Sequence, residues 1–322
     1  MVVVKPERCV SATRAPTPYA RLMLCLLAIP LLLSLATPAQ AQQARPFGDG
    51  FLEELRRAAT FIPGSPPQQL RVAAVGHVPV PVSDVIEGAG PDTVNMTFPV
   101  YQLRFEHGWI TVDAATPDSN LGPKVHWPTA TWDSMQVALR DARLSVVTHE
   151  HWDHVMGIMR SQFFEAIKPH AMFTRAQAAW MSKLVARNNG GTGIDSAEAA
   201  RVLVVDFDPY MPIAPSVVLI RAAGHTPGSQ MVYIRLASGK EIILAGDVAW
   251  NMAGIREQRP NSVASKKAIG VVEDDAASAR QVRWLKQVMD AGVEVLVAHD
   301  DKWLEQLIAR GIVVRGLDLR NP

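Results

Sequence analysis

Apolar residues along the chain come mostly in short runs of four to seven, with five stretches of helical spacing among them. Leu70–Val75, Val100–Phe105 and Trp109–Asp113 read as strands, the last two joined by the turn Glu106-His107-Gly108. Ala142–Val147, Val202–Phe207, Ser216–Arg221, Gln230–Leu236, Glu241–Ala245 and Val293–Ala298 read the same way, with Ala237-Ser238-Gly239 a hairpin turn and Ile312–Val314 a short terminal strand. Helical spacing is expected over Phe51–Thr60, Asp133–Leu139, part of Met172–Arg187, Ala276–Asp290 and Lys302–Ala309, with Asn188-Asn189-Gly190-Gly191 a loop. Strands come first, then helices and strands alternate, and the second half repeats the mixture. Helices outside two packed sheets accommodate that order.

The N-terminus changes the picture first. Arg14 and Arg21 precede the apolar run Leu22–Leu35, and Ala39-Gln40-Ala41 supplies a small-x-small site. This is the pattern of a secretory signal over residues 1–41, cleaved after Ala41. A spanning helix wants about 20 apolar residues, and Pro30 interrupts this shorter run. The expectation is therefore an exported protein, periplasmic or secreted, with no stable membrane association after cleavage. Residues 42–68, rich in Gln, Pro and Gly, form an N-terminal arm. Residues 69–322 form one domain, since no linker divides them.

Both cysteines, Cys9 and Cys25, fall in the leader, so thiolate chemistry is closed to the remainder. Lys5, Arg8, Arg14 and Arg21 against Glu7 give the leader a net +3; with +1 for the whole chain, the rest stands near −2. Its scattered Lys and Arg form no footprint for nucleic acid. A small molecule is the expected partner.

Candidate chemistry is concentrated in Thr148-His149-Glu150-His151-Trp152-Asp153-His154. Four metal-capable side chains, His149, His151, Asp153 and His154, stand within six positions, a density that packing does not explain. Imidazoles and a carboxylate suit Zn²⁺ or a similar first-row cation. Downstream, His225, Asp247 and His299 each follow an apolar run: Val217–Ile220, Ile242–Gly246 and Val295–Ala298. Taken singly, a histidine at a strand end is more often a surface or core residue than a ligand. Taken together, seven ligands exceed one tetrahedral ion and suit two ions sharing a carboxylate. His77, His107, His126 and His170 are solitary and carry no such argument.

Thr148–His154, Gly224-His225-Thr226-Pro227-Gly228, Gly246-Asp247 and Ala298-His299-Asp300 resemble the metallo-β-lactamase-fold hydrolases over roughly residues 95–315. The resemblance implies an α/β (α+β) fold, a four-layer αββα sandwich with its site at one edge of the paired sheets. It implies His149, His151 and His225 around one metal, Asp153, His154 and His299 around the other, and Asp247 between them. Asp113 matches a strand-end Asp that supports the site in that fold. Two divalent metals, Zn²⁺ by donor type, lower the pKa of a shared water and polarise the oxygen that gains charge. Asp247 and Asp153 are thus the expected catalytic carboxylates, with Asp153 able to pass a proton to the leaving alkoxide.

Within that family the closest motifs are those of the N-acyl-homoserine lactonase-like branch, which implies a hydrolase opening a lactone or related carboxylic ester. Those enzymes commonly place a Tyr three residues beyond the bridging Asp; this chain has Trp250. Trp250, Met252 and Ile255 are candidates to face an acyl chain, or else to pack the segment 249–275 onto the core. Trp152 is expected to pack beneath the metal loop. Phosphotriester or aryl ester hydrolysis and β-lactam hydrolysis are alternatives on the same site. A zinc-binding module without catalysis is the alternative of a different class.

Overall fold

The computed structural model describes residues 46–117, 125–187 and 202–320. A seven-stranded sheet has the order β12-β1-β2-β3-β4-β5-β6 and a five-stranded sheet the order β11-β10-β9-β8-β7. The first contains β1 (Gln69–Pro81), β2 (Thr93–Arg104), β3 (Trp109–Val112), β4 (Leu144–Val146), β5 (Ala171–Phe173), β6 (Leu203–Val204) and β12 (Val314–Arg315). The second contains β7 (Tyr210–Ala214), β8 (Val217–Arg221), β9 (Gln230–Arg235), β10 (Glu241–Leu244) and β11 (Glu294–Leu296).

The continuous apolar runs follow from burial on both faces. In β8, Val217 and Leu219 join Leu70, Val72, Val112, Ile234 and Leu244 between the sheets. Val218 and Ile220, on the opposite face by the two-residue period, pack with Trp284 and Leu285 of α8 (Asp275–Asp290) and with Phe51 and Leu55 of α1 (Phe51–Ala58). On the other side, Val75, Val100 and Val147 meet Met135 and Leu139 of α2 (Thr129–Arg140) and Val155 and Ile158 of α3 (Trp152–Met159). Helix, sheet, sheet and helix make the expected αββα sandwich.

Several local readings needed tertiary context. β1 runs on through Pro79 to Pro81 and pairs with an equally extended β2, with a register shift between Ala74 and His77. Its half-exposed outer end lacks the apolar signal that marks Leu70–Val75. β7 escaped the pattern because Pro209 and Pro212 punctuate it; at a sheet edge a missing N–H is tolerated. After the short helix α4 (Phe164–Ile167), Ala171–Phe173 is a strand, and helix α5 (Arg175–Arg187) starts only after Thr174. The connection 249–275 contains α6 (Met252–Arg256) and α7 (Val263–Ile269). The leader and the Asn188–Gly191 loop lie outside the described residues.

Candidate metal centre

Four strand ends deliver the seven predicted residues to one edge of the sandwich. Beyond β4, Thr148–His151 lead into α3, whose first turn carries Asp153 and His154. His225 follows β8, Asp247 follows β10, and His299 stands between β11 and α9 (Asp301–Ala309). Rigid strands and a helix thus fix side chains borne on short loops.

Two groups form. In the first, His151 Nδ1 lies 3.0 Å from His149 Nε2 and 3.1 Å from His225 Nε2. Asp247 Oδ2 lies 3.6 Å from His149 Nε2 and 3.5 Å from His225 Nε2. In the second, His299 Nε2 lies 3.5 Å from Asp153 Oδ2 and 3.2 Å from Asp247 Oδ1. His154 Nε2 is 3.7 Å from Asp153 Oδ2 and 3.5 Å from Asp247 Oδ1. Tetrahedral ligands at about 2.0–2.1 Å from one ion are separated by about 3.3 Å, the middle of this range. Asp247 lies between the two groups: Oδ1 faces the second, and Oδ2 faces the first while also standing 3.2 Å from His299 Nε2.

The fit is also electrostatic. His154 Nε2 and Asp247 Oδ1 are buried without a hydrogen-bond partner, a costly arrangement unless a cation completes it. Burial, with His154 close by, pushes His149 well below the ordinary imidazole range; burial and His225 push His151 down to about 3. Both rings are therefore neutral donors. Burial opposes charge on His154 too, but Asp113, Asp153 and Asp247 outweigh it and raise the ring to about 10. His149, His154, His225, Asp247 and His299 are deeply buried, whereas His151 and Asp153 are only partly so, Asp153 keeping 13% of its side chain exposed.

Outer contacts fix the rings. Asp113 Oδ2 stands 3.1 Å from His154 Nδ1, and its Oδ1 accepts the Thr148 N–H at 2.6 Å. Thr148 Oγ1 is 3.2 Å from His149 Nδ1, and the Thr97 carbonyl accepts from His299 Nδ1 at 2.7 Å. Asp300 accepts from Met252 N through Oδ2 and from Trp303 N through Oδ1, each at 2.9 Å. It thereby ties the His299 loop to the segment after Asp247. The cap position of Asp300, directly before a helix, was a usable sequence signal for this role; Thr97 acts through its backbone and left none.

Trp250 is brought to the centre: its Nε1 donates to Asp247 Oδ2 at 2.9 Å. Met252 and Ile255 are not; both are fully buried in the core cluster that includes Trp284 and Leu285. Trp152 does not pack beneath the loop. As the first residue of α3 it points outward and is 36% exposed, because the buried face of that helix belongs to His154, Val155 and Ile158. Of the solitary histidines, His77 and His126 stack on each other with ring centroids 4.9 Å apart, and His170 Nε2 lies 3.0 Å from the Leu139 carbonyl oxygen.

No family model and no curated protein matches the chain. Solved structures do. An N-acyl homoserine lactone hydrolase, with N-hexanoyl-L-homoserine bound at its catalytic metal centre, superposes with a TM-score of 0.56 at 16% identity, over 76% of this chain and 97% of that one. A dizinc quorum-quenching lactonase with bound product gives 0.53 at 16%, over 71% and 86%. A probable metal-dependent hydrolase from Staphylococcus aureus gives 0.54 at 13%, over 74% and 91%. At such identities the likeness is one of architecture: the chain adopts the metallo-β-lactamase fold, with N-acyl homoserine lactonases among its structural neighbours.

Proposed function

We propose that the chain is a binuclear metal-dependent hydrolase that opens a lactone or related carboxylic ester, and that it acts after export. The observation that carries this reading is Asp247, whose carboxylate stands between two sets of donors, within 3.6 Å of His149 and His225 Nε2 on one side and within 3.5 Å of His154 and His299 Nε2 on the other. His149, His151, His225 and Asp247 would hold one ion; Asp153, His154, His299 and Asp247 would hold the other. Zn²⁺ is the ion that the imidazole-rich donor set suits best. Bound there, the two ions supply Lewis acidity and a water ionised near neutral pH.

The protein's own part is orientation and proton movement. Asp153 Oδ2 faces His154 and His299, which leaves Oδ1 to hold the proton taken from water and return it to the leaving alkoxide oxygen. Asp153 is also the ligand carboxylate nearer solvent, where a substrate enters. Trp250 spends its only side-chain N–H on Asp247, so its indole cannot donate to a substrate carbonyl as a Tyr hydroxyl could. That favours, as a second reading, aryl esters and phosphotriesters, whose good leaving groups need less help at the acceptor oxygen. Export rests on the leader at residues 1–41 alone.

The test is acid release from short- and long-chain acyl lactones by protein loaded with two equivalents of Zn²⁺, beside Asp153→Ala. Lactone turnover that drops about 10²–10⁴-fold in the variant supports the reading. Folded, two-metal protein that releases no acid overturns it in favour of phosphotriesters or β-lactams. Turnover of none of these leaves a zinc-binding module.

A further inference from the structure

Three of the four rings that aim Nε2 at the metal centre have an outer partner on Nδ1: Thr148 Oγ1 for His149, Asp113 for His154 and the Thr97 carbonyl for His299. The fourth is His225. Its Nδ1 is buried and makes no hydrogen bond, and what faces it, 3.7 Å away, is Glu273 Oε1. We propose that Glu273 is the positioning residue for His225, holding a proton on Nδ1 so that Nε2 is presented to the metal, and strengthening that ring as a donor. The proposal rests on the two-metal reading above.

Glu273 is built into its place. Its side chain is only 3% exposed, Oε2 pairs with Lys266 Nζ at 2.5 Å, and Oε1 accepts from Ser278 Oγ at 2.9 Å. A buried ion pair is weak evidence for stability, because desolvation offsets most of the attraction. A carboxylate aimed at a ligand imidazole has a different use: it selects the tautomer and raises the basicity of the ring.

The backbone holds the two together. Asp274 N donates to the Gly224 carbonyl at 2.9 Å, and Gln281 Nε2 donates to the Ala223 carbonyl at 3.0 Å. Gly224 permits this closeness, since a Cβ there would stand 3.0 Å from Ser278 Oγ and 3.1 Å from Gln281 Oε1. The N-terminal turn of α8 is thus clamped on the loop that carries His225, and Glu273, two residues before the helix, carries the carboxylate.

The experiment measures both zinc affinities by chelator competition in wild type, Glu273→Gln, Glu273→Asp and Lys266→Met, with thermal unfolding in parallel. Wild type should bind two equivalents; fewer would overturn the two-metal reading itself, and this proposal with it. Glu273→Gln should weaken one zinc by about 10–100-fold and leave the other within about threefold. Glu273→Asp keeps a charge opposite Lys266 but draws it back from His225, and should show the same one-site loss to a smaller degree. It carries the test if the Gln variant does not fold. Lys266→Met breaks the same ion pair without removing the carboxylate, and should lose thermal stability while binding both zincs within about threefold of wild type. Two zincs held at wild-type affinity in the Glu273 variants, both weakened alike, or an equal one-site loss in Lys266→Met would each overturn the proposal.

Discussion

Trp250 Nε1 donates a hydrogen bond of 2.9 Å to Asp247 Oδ2, the oxygen that faces His149 and His225. The indole is buried against Val85 and Ile86, and its backbone N–H is taken by Asn261 Oδ1 at 2.8 Å. Asn261 Nδ2 in turn donates to the Asp247 carbonyl at 3.1 Å. Asp247 is therefore held at its side chain by Trp250 and at its backbone by Asn261, in one frame. Trp250→Phe keeps the apolar contact and removes the donor. A hydrogen bond to a charged acceptor contributes about 1.5–3 kcal/mol, so the metal-free variant should lose about that much stability in urea. An unchanged midpoint with an unchanged slope would show that the indole only fills space.

Asp113 supports the other side of the site. Its φ of 63° turns the side chain under the metal loop, where it meets both Thr148 N and His154 Nδ1. Asp113→Asn keeps the size and one acceptor but loses the charge that favours an Nδ1–H on His154. The ion held by Asp153, His154 and His299 should bind about 10–100-fold more weakly. After dialysis against a mild chelator, elemental analysis should find close to one zinc per chain where wild type holds two. Equal zinc in both proteins would dismiss Asp113 as a support.

The cluster of seven side chains was legible because its chemistry is dense in sequence: four donors within six positions, and three more placed after apolar strands. What surrounds it was not. Thr97 acts through a carbonyl, which no side-chain pattern can announce, and Glu273 lies in a mixed segment whose charges look like a solvated surface. Trp250 stood out, yet its N–H could equally have faced a substrate; only the fold decides that it meets Asp247. The sandwich was readable from runs buried on both faces, whereas the outer ends of β1 and β2 and the proline-marked β7 depend on their neighbours in the sheet. Met252 and Ile255 illustrate the same limit, since apolar character alone does not separate a pocket wall from the core beneath it.

Charge within the metal-free site makes stability depend on pH in two windows. His154 is raised to about 10, so its contribution is complete below its unfolded value near 6.5 and is lost as pH rises through about 10. His151 is lowered to about 3 and stays neutral in the fold while the unfolded chain takes up a proton, so stability falls as pH drops from about 6.5 toward 3. Zinc binding requires neutral rings and must expel the His154 proton near neutrality. Titration calorimetry at pH 7.5 in two buffers of different ionisation enthalpy should therefore report at least one proton released on loading both sites. A heat independent of buffer would contradict the charged state assigned to His154.

Gly157 sets two local effects against each other. It lies inside α3, where alanine is favoured over glycine by about 1 kcal/mol, so propensity alone makes Gly157→Ala stabilising. Yet a Cβ at this position would fall 1.8 Å from the Ala114 carbonyl oxygen and 3.0 Å from Met135 Cε. The first contact is with backbone and cannot be relieved by a rotamer. The helix is also tied to that backbone by Ala114 N to the His154 carbonyl at 2.9 Å and by Gly157 N to the Ala115 carbonyl at 3.2 Å. Relief must come from moving α3 away from Asp113–Ala115, and α3 carries Asp153 and His154. Overpacking of a core costs about 1–3 kcal/mol or more, and here the obstacle is rigid, so sterics should win. Gly157→Ala is expected to unfold at a lower temperature and to lose the zinc held by Asp153, His154 and His299 first. A variant with a raised unfolding temperature and both zincs retained would mean that α3 can shift without disturbing the site it delivers.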